Sequence, residues 1–267
     1  MKAILLGLCL TAALISPSVV SARTAHATGF VGPRSYYLAL GDSLAFGYQP
    51  NLTFNQGYAD DFYANLKTHG TSHFTNLGCP DETTTTFMKG GCPYWYIRKS
   101  FYFGSQLNAA LSFIKNHAGQ VSPVTLDIGA NDVLPDINKS DCSISSTWQT
   151  DLARFNTNFV SIVKQLNTAL NGKGDLLVMN YYDPYQNLCA GNPAVLADLQ
   201  VMNSNIAADT AGTSAHVVDV FNAFGGAATP NPNICTYTWM CSSYNDIHPM
   251  PTGYGVIAGA FEATAGY

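Results

Sequence analysis

The stretch Tyr37-Leu-Ala-Leu-Gly-Asp-Ser-Leu-Ala-Phe-Gly-Tyr48 sets the framework for the rest of the chain. A short apolar run, residues 36–40, ends at Gly41 and is followed by Asp42 and Ser43. This order predicts a buried parallel strand, a tight turn and the start of a helix. A serine at such a turn either caps the helix, or holds its hydroxyl clear of the sheet beside free N–H groups, where a nucleophile can act.

Apolar runs and helical patterns alternate along the rest of the chain. Strands are predicted at 74–78, 121–129, 176–180 and 216–220, and helices at 58–68, 106–117, 147–170, 193–211 and 251–264. The segments 88–100 and 222–245 are predicted to be irregular. The alternation predicts an α/β fold, a three-layer α/β/α sandwich around a mostly parallel five-stranded sheet with right-handed crossovers. Because no repeat or linker interrupts it, we expect residues 28–267 to form one domain.

The composition excludes several classes of protein. The chain has 267 residues, of which 47% are hydrophobic and only 11% are charged, and its net charge is -5. Without a basic stripe, nucleic acid is not expected as a partner. Beyond the N-terminus no apolar stretch is long enough to span a bilayer, so stable membrane insertion is not expected. A monomer is the default expectation.

The N-terminus has the pattern of a secretory signal. Lys2 is followed by thirteen apolar residues, 3–15, and then by small residues that allow cleavage after Ala22 or after Ala27. The apolar run is short for a membrane anchor, which is the alternative interpretation. Residues 1–27 are therefore predicted to be a signal peptide, and the mature protein is expected to be extracellular.

Six cysteines follow the predicted signal peptide: Cys79, Cys92, Cys142, Cys189, Cys235 and Cys241. An even number in an exported chain predicts disulfides. Six cysteines allow fifteen pairings, among which the sequence does not choose, and sequential pairing closes the shortest loops. Zinc is the competing explanation, but no C-x-x-C pair occurs and only His248 lies near a cysteine at ligand spacing. No metal or cofactor is expected.

Polar residues stand at the predicted ends of the strands. Ser43 follows the first strand, residues 78–82 follow the second, and Asn131 follows the third, whereas His248 precedes the last helix. In an open parallel sheet the carboxyl ends of the strands share one edge, where ligands bind. A nucleophile, a base and donors for an oxyanion at that edge are what serine hydrolysis needs. Asn131 as a helix cap and His248 as a packing residue are the simpler alternatives.

These residues fall in four blocks that resemble the SGNH or GDSL hydrolase family. The blocks are residues 41–44 (Gly-Asp-Ser-Leu), 76–83 (Asn-Leu-Gly-Cys-Pro-Asp-Glu-Thr), 129–132 (Gly-Ala-Asn-Asp) and His248-Pro249 followed by Gly253. They occur in the family's order and span 41–253. With a predicted signal peptide and six cysteines, the chain most resembles the secreted bacterial esterase and lipase branch, which implies the flavodoxin-like SGNH hydrolase fold.

The resemblance implies a role for each matched residue. Ser43 is the expected nucleophile and His248 the expected base. The Ser43 N–H, a backbone N–H of the second block and the Asn131 amide are the expected oxyanion hole. The second-block donor is assigned to Asp81, where the family usually has glycine, with Gly78 as the alternative. Asp42, which precedes the nucleophile, is expected to bond the backbone of its turn.

The acid of the expected catalytic triad departs from the family's pattern. The family places an aspartate three residues before the histidine, and here that position is Asn245. Either Asp246, two residues before, reaches His248 by a different local backbone, or a backbone carbonyl orients the imidazole.

The predicted function is that of a secreted carboxylic ester hydrolase, an esterase or lipase, that forms an acyl-enzyme on Ser43. Its substrate is expected to be a small-molecule or lipid ester. The segments 94–103 and 181–190 are candidates for lining an acyl pocket, although their aromatic residues can instead pack over the edge of the sheet. An acyltransferase or acetyl-glycan esterase using the same site, and a non-catalytic binding module on this fold, remain alternatives.

Overall fold

The structure, a computed structural model, describes residues 29–267, so the predicted signal peptide lies outside the described part of the chain. Five strands form a single sheet with the order β2-β1-β3-β4-β5, and every neighbouring pair is parallel. The strands are Tyr36–Gly41 (β1), His73–Asn76 (β2), Val121–Asp127 (β3), Leu176–Met179 (β4) and Ala215–Val218 (β5). The sheet therefore has the predicted number of strands and is parallel throughout.

Ten α-helices are formed by the described residues. They are Ser43–Phe46 (α1), Tyr58–Thr68 (α2), Thr84–Lys89 (α3), Gln106–Asn116 (α4), Ala130–Val133 (α5), Trp148–Leu170 (α6), Pro193–Thr210 (α7), Val220–Ala223 (α8), Pro232–Tyr237 (α9) and Pro251–Ala265 (α10). Helices α4, α6 and α7 pack side by side, and α2 packs against α10. A right-handed connection lies on one face of the sheet when the chain moves one way along the strand order, and on the other face when it moves back. The group with α4, α6 and α7 and the group with α2 and α10 therefore cover the two faces of the sheet.

The strand order fixes where a site can form. The chain leaves β1 in one direction to reach β2 and then crosses back over it to β3, so the direction of winding reverses between β1 and β3. At such a switch point the loops after the two strands diverge and leave a crevice at the carboxyl edge of the sheet. The turn with Ser43 follows β1, and the turn with Asn131 follows β3.

The core is built from both faces of the sheet. All seven residues of β3 and all four of β4 are buried, as expected for strands covered by helices on both sides. Across the interface between α2 and α10, the rings of Tyr58 and Phe261 stack with centroids 4.9 Å apart. None of the helices in residues 29–267 combines the length and the apolar character that crossing a bilayer requires.

Both segments predicted to be irregular contain regular structure. The segment 88–100 carries the end of α3 and a 3₁₀ turn, Trp95–Ile97. The segment 222–245 carries α9 and a 3₁₀ turn, Trp239–Cys241. Pro232 stands at the start of α9, and the Asn231 side chain accepts a hydrogen bond from the Asn233 N–H. A proline at the first position and an asparagine cap are sufficient signals for a short helix, although the segment lacks a hydrophobic period.

The six cysteines form three pairs in sequential order. Their Cα atoms are 6.2 Å apart for Cys79 and Cys92, 5.5 Å for Cys142 and Cys189, and 5.0 Å for Cys235 and Cys241. These separations lie in the range of disulfides. The first two pairs join loops, and the third ties α9 to the 3₁₀ turn that follows it.

Candidate active site

The turn after β1 presents Ser43 at the edge of the sheet. Gly41 has φ +141°, and a Cβ at this position would collide with the backbone carbonyl of Asp127 on β3, so glycine is required for this close approach. The Asp42 side chain accepts the Leu44 N–H at 2.9 Å and is the N-cap of α1. The N-cap interpretation of Ser43 is therefore wrong, and Asp42 bonds the turn as predicted.

A buried carboxyl lies beneath this turn. Asp127 accepts the N–H groups of Ala45 at 3.1 Å and Asp42 at 3.3 Å, and the Tyr58 hydroxyl donates to its other oxygen. Burial, and then the nearby Asp42 carboxylate, raise the pKa of Asp127 well above its ordinary value, and burial raises the pKa of Asp42 to about 6. Asp127 thus fixes the start of α1 beneath Ser43. Asp127 is not among the residues predicted for the site, although an acidic residue inside an apolar strand is a signal that the sequence contains.

A line of short hydrogen bonds connects Ser43 with the loop before α10. The His248 Nε2 lies 2.8 Å from the Ser43 Oγ, and the His248 Nδ1 lies 2.7 Å from the Asp246 Oδ1. Burial opposes ionisation of Asp246, but the hydrogen bonds and electrostatic attraction of His248, with the nearby Lys139, together outweigh it and lower the pKa of this carboxyl. The geometry brings Ser43 and His248 together with Asp246, one of the two alternatives that the sequence offers for orienting the imidazole.

The local backbone explains how a carboxyl two residues before the histidine reaches the ring. Asn245 has φ +46°, in the left-handed region, and this turns the chain ahead of Asp246. The Asp246 Oδ1 then accepts both the backbone N–H of His248, at 2.9 Å, and the ring Nδ1. The side chain therefore closes an Asx turn on the same residue that it orients. Asparagine is among the residues that tolerate this backbone conformation best.

Three N–H donors surround the space in front of Ser43. The Ser43 N–H is the first of α1, and no group in residues 29–267 accepts it or the Asp81 N–H. Asp81 has φ +64°, the backbone conformation that favours glycine. The Asn131 amide donates to the Glu82 carbonyl at 3.1 Å, which leaves its second N–H free. Gly78, the alternative donor, is already bonded to the Asn76 side chain at 2.9 Å.

The turn with Asp81 is fastened to the turn with Ser43 by a buried side chain from α4. Gln106 accepts the Gly41 N–H at 2.7 Å and donates to the Gly41 carbonyl at 2.9 Å and to the Glu82 carboxyl at 2.6 Å. Burial raises the pKa of Glu82 to about 7, although the hydrogen bond from Gln106 opposes this. Neither residue was singled out from the sequence, because nothing local marks a polar contact between such distant segments.

Two depressions meet at Ser43. One is a small apolar cavity of about 30 Å³, lined among others by Leu134, Tyr181, Tyr182 and Pro184. The other is an open, more polar depression of about 220 Å³, lined among others by Tyr48, Asp81 and Tyr94. The loop 181–190 therefore lines a pocket, as predicted. Of the segment 94–103, only Tyr94 reaches the depressions at Ser43.

One group of side chains in residues 29–267 has the spacing of metal ligands, namely Cys79, Glu82 and Cys92. The two cysteines are paired with each other, so their sulfurs are not free thiolates, the form that binds zinc.

The sequence matches the model of the GDSL-like Lipase/Acylhydrolase family over residues 39–256, which is most of the chain. The chain belongs to this family. It is therefore a carboxylic ester hydrolase. No protein with a curated description matches the sequence.

Solved structures resemble the esterase in fold. The acetylxylan esterase Axe2 from Geobacillus stearothermophilus superposes with a TM-score of 0.61 at 14% identity, over 89% of this chain and 96% of its own. TesA superposes with a TM-score of 0.54 at 16% identity, over 86% of this chain and 97% of its own. An alpha/beta hydrolase enzyme from the metagenome of Lake Arreo, Spain, superposes with a TM-score of 0.55 at 19% identity, over 90% of this chain and 98% of its own. At these identities the similarity establishes the shared α/β/α fold alone.

Proposed function

We propose that the esterase acts through a covalent acyl-enzyme on Ser43, with His248 as general base and Asp246 as the residue that orients it. The observation that carries this proposal is the unbroken line of hydrogen bonds from Asp246 through His248 to Ser43, 2.7 Å and 2.8 Å long. Nucleophile, base and orienting acid within hydrogen-bond reach are the structural signature of an activated serine.

In both half-reactions a proton moves between His248 and the reacting oxygens, and it does not reach Asp246. The Ser43 Oγ attacks the ester carbonyl carbon while His248 Nε2 takes the hydroxyl proton. The tetrahedral intermediate collapses, the C–O bond to the alcohol breaks, and His248 returns the proton to the leaving alkoxide. A water molecule then attacks the acyl-enzyme and gives a proton to His248, which passes it to Ser43 as the acid leaves. Asp246 stays ionised and stabilises the imidazolium.

The negative oxygen of the intermediate is held by the N–H groups of Ser43 and Asp81 and by the Asn131 amide. Each donor is fixed before substrate binds: Ser43 by its helix, Asp81 by the cysteine pair and the bonds of Gln106, and Asn131 by its bond to Glu82. Fixed donors need no reorganisation as charge develops, and removing one such donor typically costs about 3–4 kcal/mol of transition-state stabilisation.

The two depressions suggest how an ester is placed. The small apolar cavity takes the acyl group, and the wider polar depression takes the alcohol. A buried water needs about 10–15 Å³ of cavity. A cavity of about 30 Å³ therefore has room for two or three methyl-sized groups of an acyl chain. The esterase therefore favours short acyl groups such as acetyl and propionyl over long fatty acyl chains.

The protein acts outside the cytoplasm. The predicted signal at residues 1–27 and the three cysteine pairs support export, since disulfides persist in oxidising compartments.

The test is hydrolysis of p-nitrophenyl esters, from acetate to palmitate, by the mature chain and by its Ser43→Ala variant. The parent is expected to cleave acetate fastest, and Ser43→Ala to lose at least about 10³-fold in kcat. Ser140→Ala, which removes the hydroxyl of an exposed serine, is the control and should keep the parent's activity. Substantial activity in Ser43→Ala would exclude the acyl-enzyme. A preference for palmitate would exclude the proposal that the small apolar cavity holds the acyl group.

A further inference from the structure

The segment 94–103 exposes a cluster of aromatic side chains. Trp95, Tyr96, Phe101 and Phe103, here called the aromatic platform, are exposed by 59%, 64%, 68% and 85%. Half of the ten exposed large apolar side chains in residues 29–267 belong to this ten-residue segment. Exposed apolar surface that is concentrated in this way marks an interaction site more often than scattered single residues do.

The platform is held in place by its own contacts. Arg98 donates from Nε to the Trp95 carbonyl and from Nη2 to the Tyr102 carbonyl, both at 3.0 Å, and its guanidinium lies 3.7 Å above the Tyr102 ring. Phe101 and Phe103 meet edge to face with centroids 4.7 Å apart. Because these contacts fix the backbone of the segment and pair Phe101 with Phe103, a ligand that binds the platform has less conformational entropy to remove than on a loop without such contacts.

The platform is continuous with the alcohol side of the proposed cleft. Tyr94 lines the open depression beside Ser43, and its ring lies 6.1 Å from that of Tyr96. The Tyr96 ring in turn lies 6.0 Å from that of Trp95. Beyond them, Trp95, Phe101 and Phe103 border a hollow of about 320 Å³. An extended ligand whose ester lies at Ser43 can therefore run along this surface.

The chemistry of the platform favours a neutral ligand with flat apolar faces. The segment has two cations, and both are engaged: Lys99 pairs with Asp60 at 2.7 Å, and Arg98 is bonded as described. Arg98 keeps its charge, but its guanidinium is held by two backbone carbonyls and the Tyr102 ring, so the segment presents no cluster of free cations to an anionic headgroup. Its one aliphatic residue, Ile97, is half-buried. The small acyl cavity also lacks room for a lipid chain. Sugar rings, by contrast, present C–H groups that pack on the electron-rich faces of aromatic rings.

We propose that the aromatic platform binds the sugar chain of an acetylated polysaccharide and presents its acetyl esters to Ser43. The proposal rests on the proposed function for the chemistry at Ser43, but the binding surface is a separate feature of the molecule. If this proposal holds, the natural substrate is a polymer, and the sugars that lie outside the cleft contribute to its binding.

The first test compares two substrates in the Trp95→Ala/Phe103→Ala double variant. The ratio of kcat/KM for acetylated xylan to kcat/KM for p-nitrophenyl acetate is expected to fall about tenfold relative to the parent, equivalent to about 1.4 kcal/mol. Val160→Ala, an exposed apolar side chain on α6, is the control and should leave the ratio unchanged. An unchanged ratio in the double variant would overturn the proposal.

The second test measures binding without catalysis. Ser43→Ala is expected to adsorb to insoluble xylan, and the added Trp95→Ala/Phe103→Ala changes to abolish adsorption. Because this assay needs no ester cleavage, it distinguishes failure of the platform from failure of the acyl-enzyme proposal. Absence of adsorption would overturn the platform. So would binding to vesicles of zwitterionic phospholipid in place of xylan, which would make this surface a lipid contact.

Discussion

The buried carboxyl of Glu82 gives a quantitative prediction for Glu82→Gln. Glu82 is 1% exposed, and burial raises its pKa from an ordinary value of 4.5 to about 7. Between these two values the folded chain holds a proton that the unfolded chain has released. The free energy of unfolding therefore falls as the pH rises through this window, and the loss is complete above about pH 7.

The size of the effect follows from the displacement of the pKa. A rise from 4.5 to about 7 is equivalent to about 3 kcal/mol of stability lost between low and neutral pH. A glutamine at this position keeps the shape and can still accept the hydrogen bond from Gln106, but it does not titrate. Asp42, whose pKa is raised to about 6, titrates in both proteins and cancels from the comparison.

The assay is urea unfolding of the parent and Glu82→Gln from about pH 4 to about pH 8. The parent's unfolding free energy should fall by about 3 kcal/mol more than that of the variant across this range. Glu262→Gln changes the chain's other glutamate, whose pKa is also raised by burial but at a far less buried position, and it should differ from the parent much less than Glu82→Gln does. Parallel curves for the parent and Glu82→Gln would refute the reasoning, because they would mean that Glu82 is ionised at no cost.

Three further predictions concern the loops around the site. Asp246→Asn should lower kcat/KM for p-nitrophenyl acetate by about 10²–10⁴-fold. A decrease of less than about threefold would contradict this and would mean that a backbone carbonyl orients the imidazole. Asp81→Val should be about 1–2 kcal/mol less stable than Asp81→Gly in urea, because φ is +64° there; equal stability would contradict that geometry. Replacing both Cys142 and Cys189 by serine should cost about 4 kcal/mol, since their bond closes a loop of 47 residues, and an unchanged unfolding midpoint would refute the pairing.

The sequence was sufficient for the framework of the fold. The apolar runs that end at Gly41 and Gly129 and the helical period of 147–170 are local signals, and the strands and helices lie where these signals place them. The position of the site at the carboxyl edge followed from the parallel arrangement alone. The GDSL-like family model, which matches residues 39–256, agrees with the order of the recognised blocks.

The polar contacts behind the site could not be predicted in the same way. Gln106 meets Gly41 across 65 residues and Glu82 across 24, and no local pattern records which buried polar groups will pair. For Asp127 the acidic residue inside an apolar strand is a local signal, but its bond to the Ala45 N–H spans 82 residues and no local pattern records it. Residue spacing does not decide between Asp246 and a backbone carbonyl, because the reach of Asp246 depends on the left-handed backbone of Asn245.

The central claim is that Ser43 is the nucleophile activated by His248. It is tested most directly by labelling the mature chain with diethyl p-nitrophenyl phosphate and locating the adduct by peptide mass spectrometry. The account predicts one diethylphosphoryl group per chain, on the peptide that contains Ser43, and none in His248→Ala or in the urea-unfolded chain. A label on any other residue, or continued ester hydrolysis by a fully labelled protein, would contradict it.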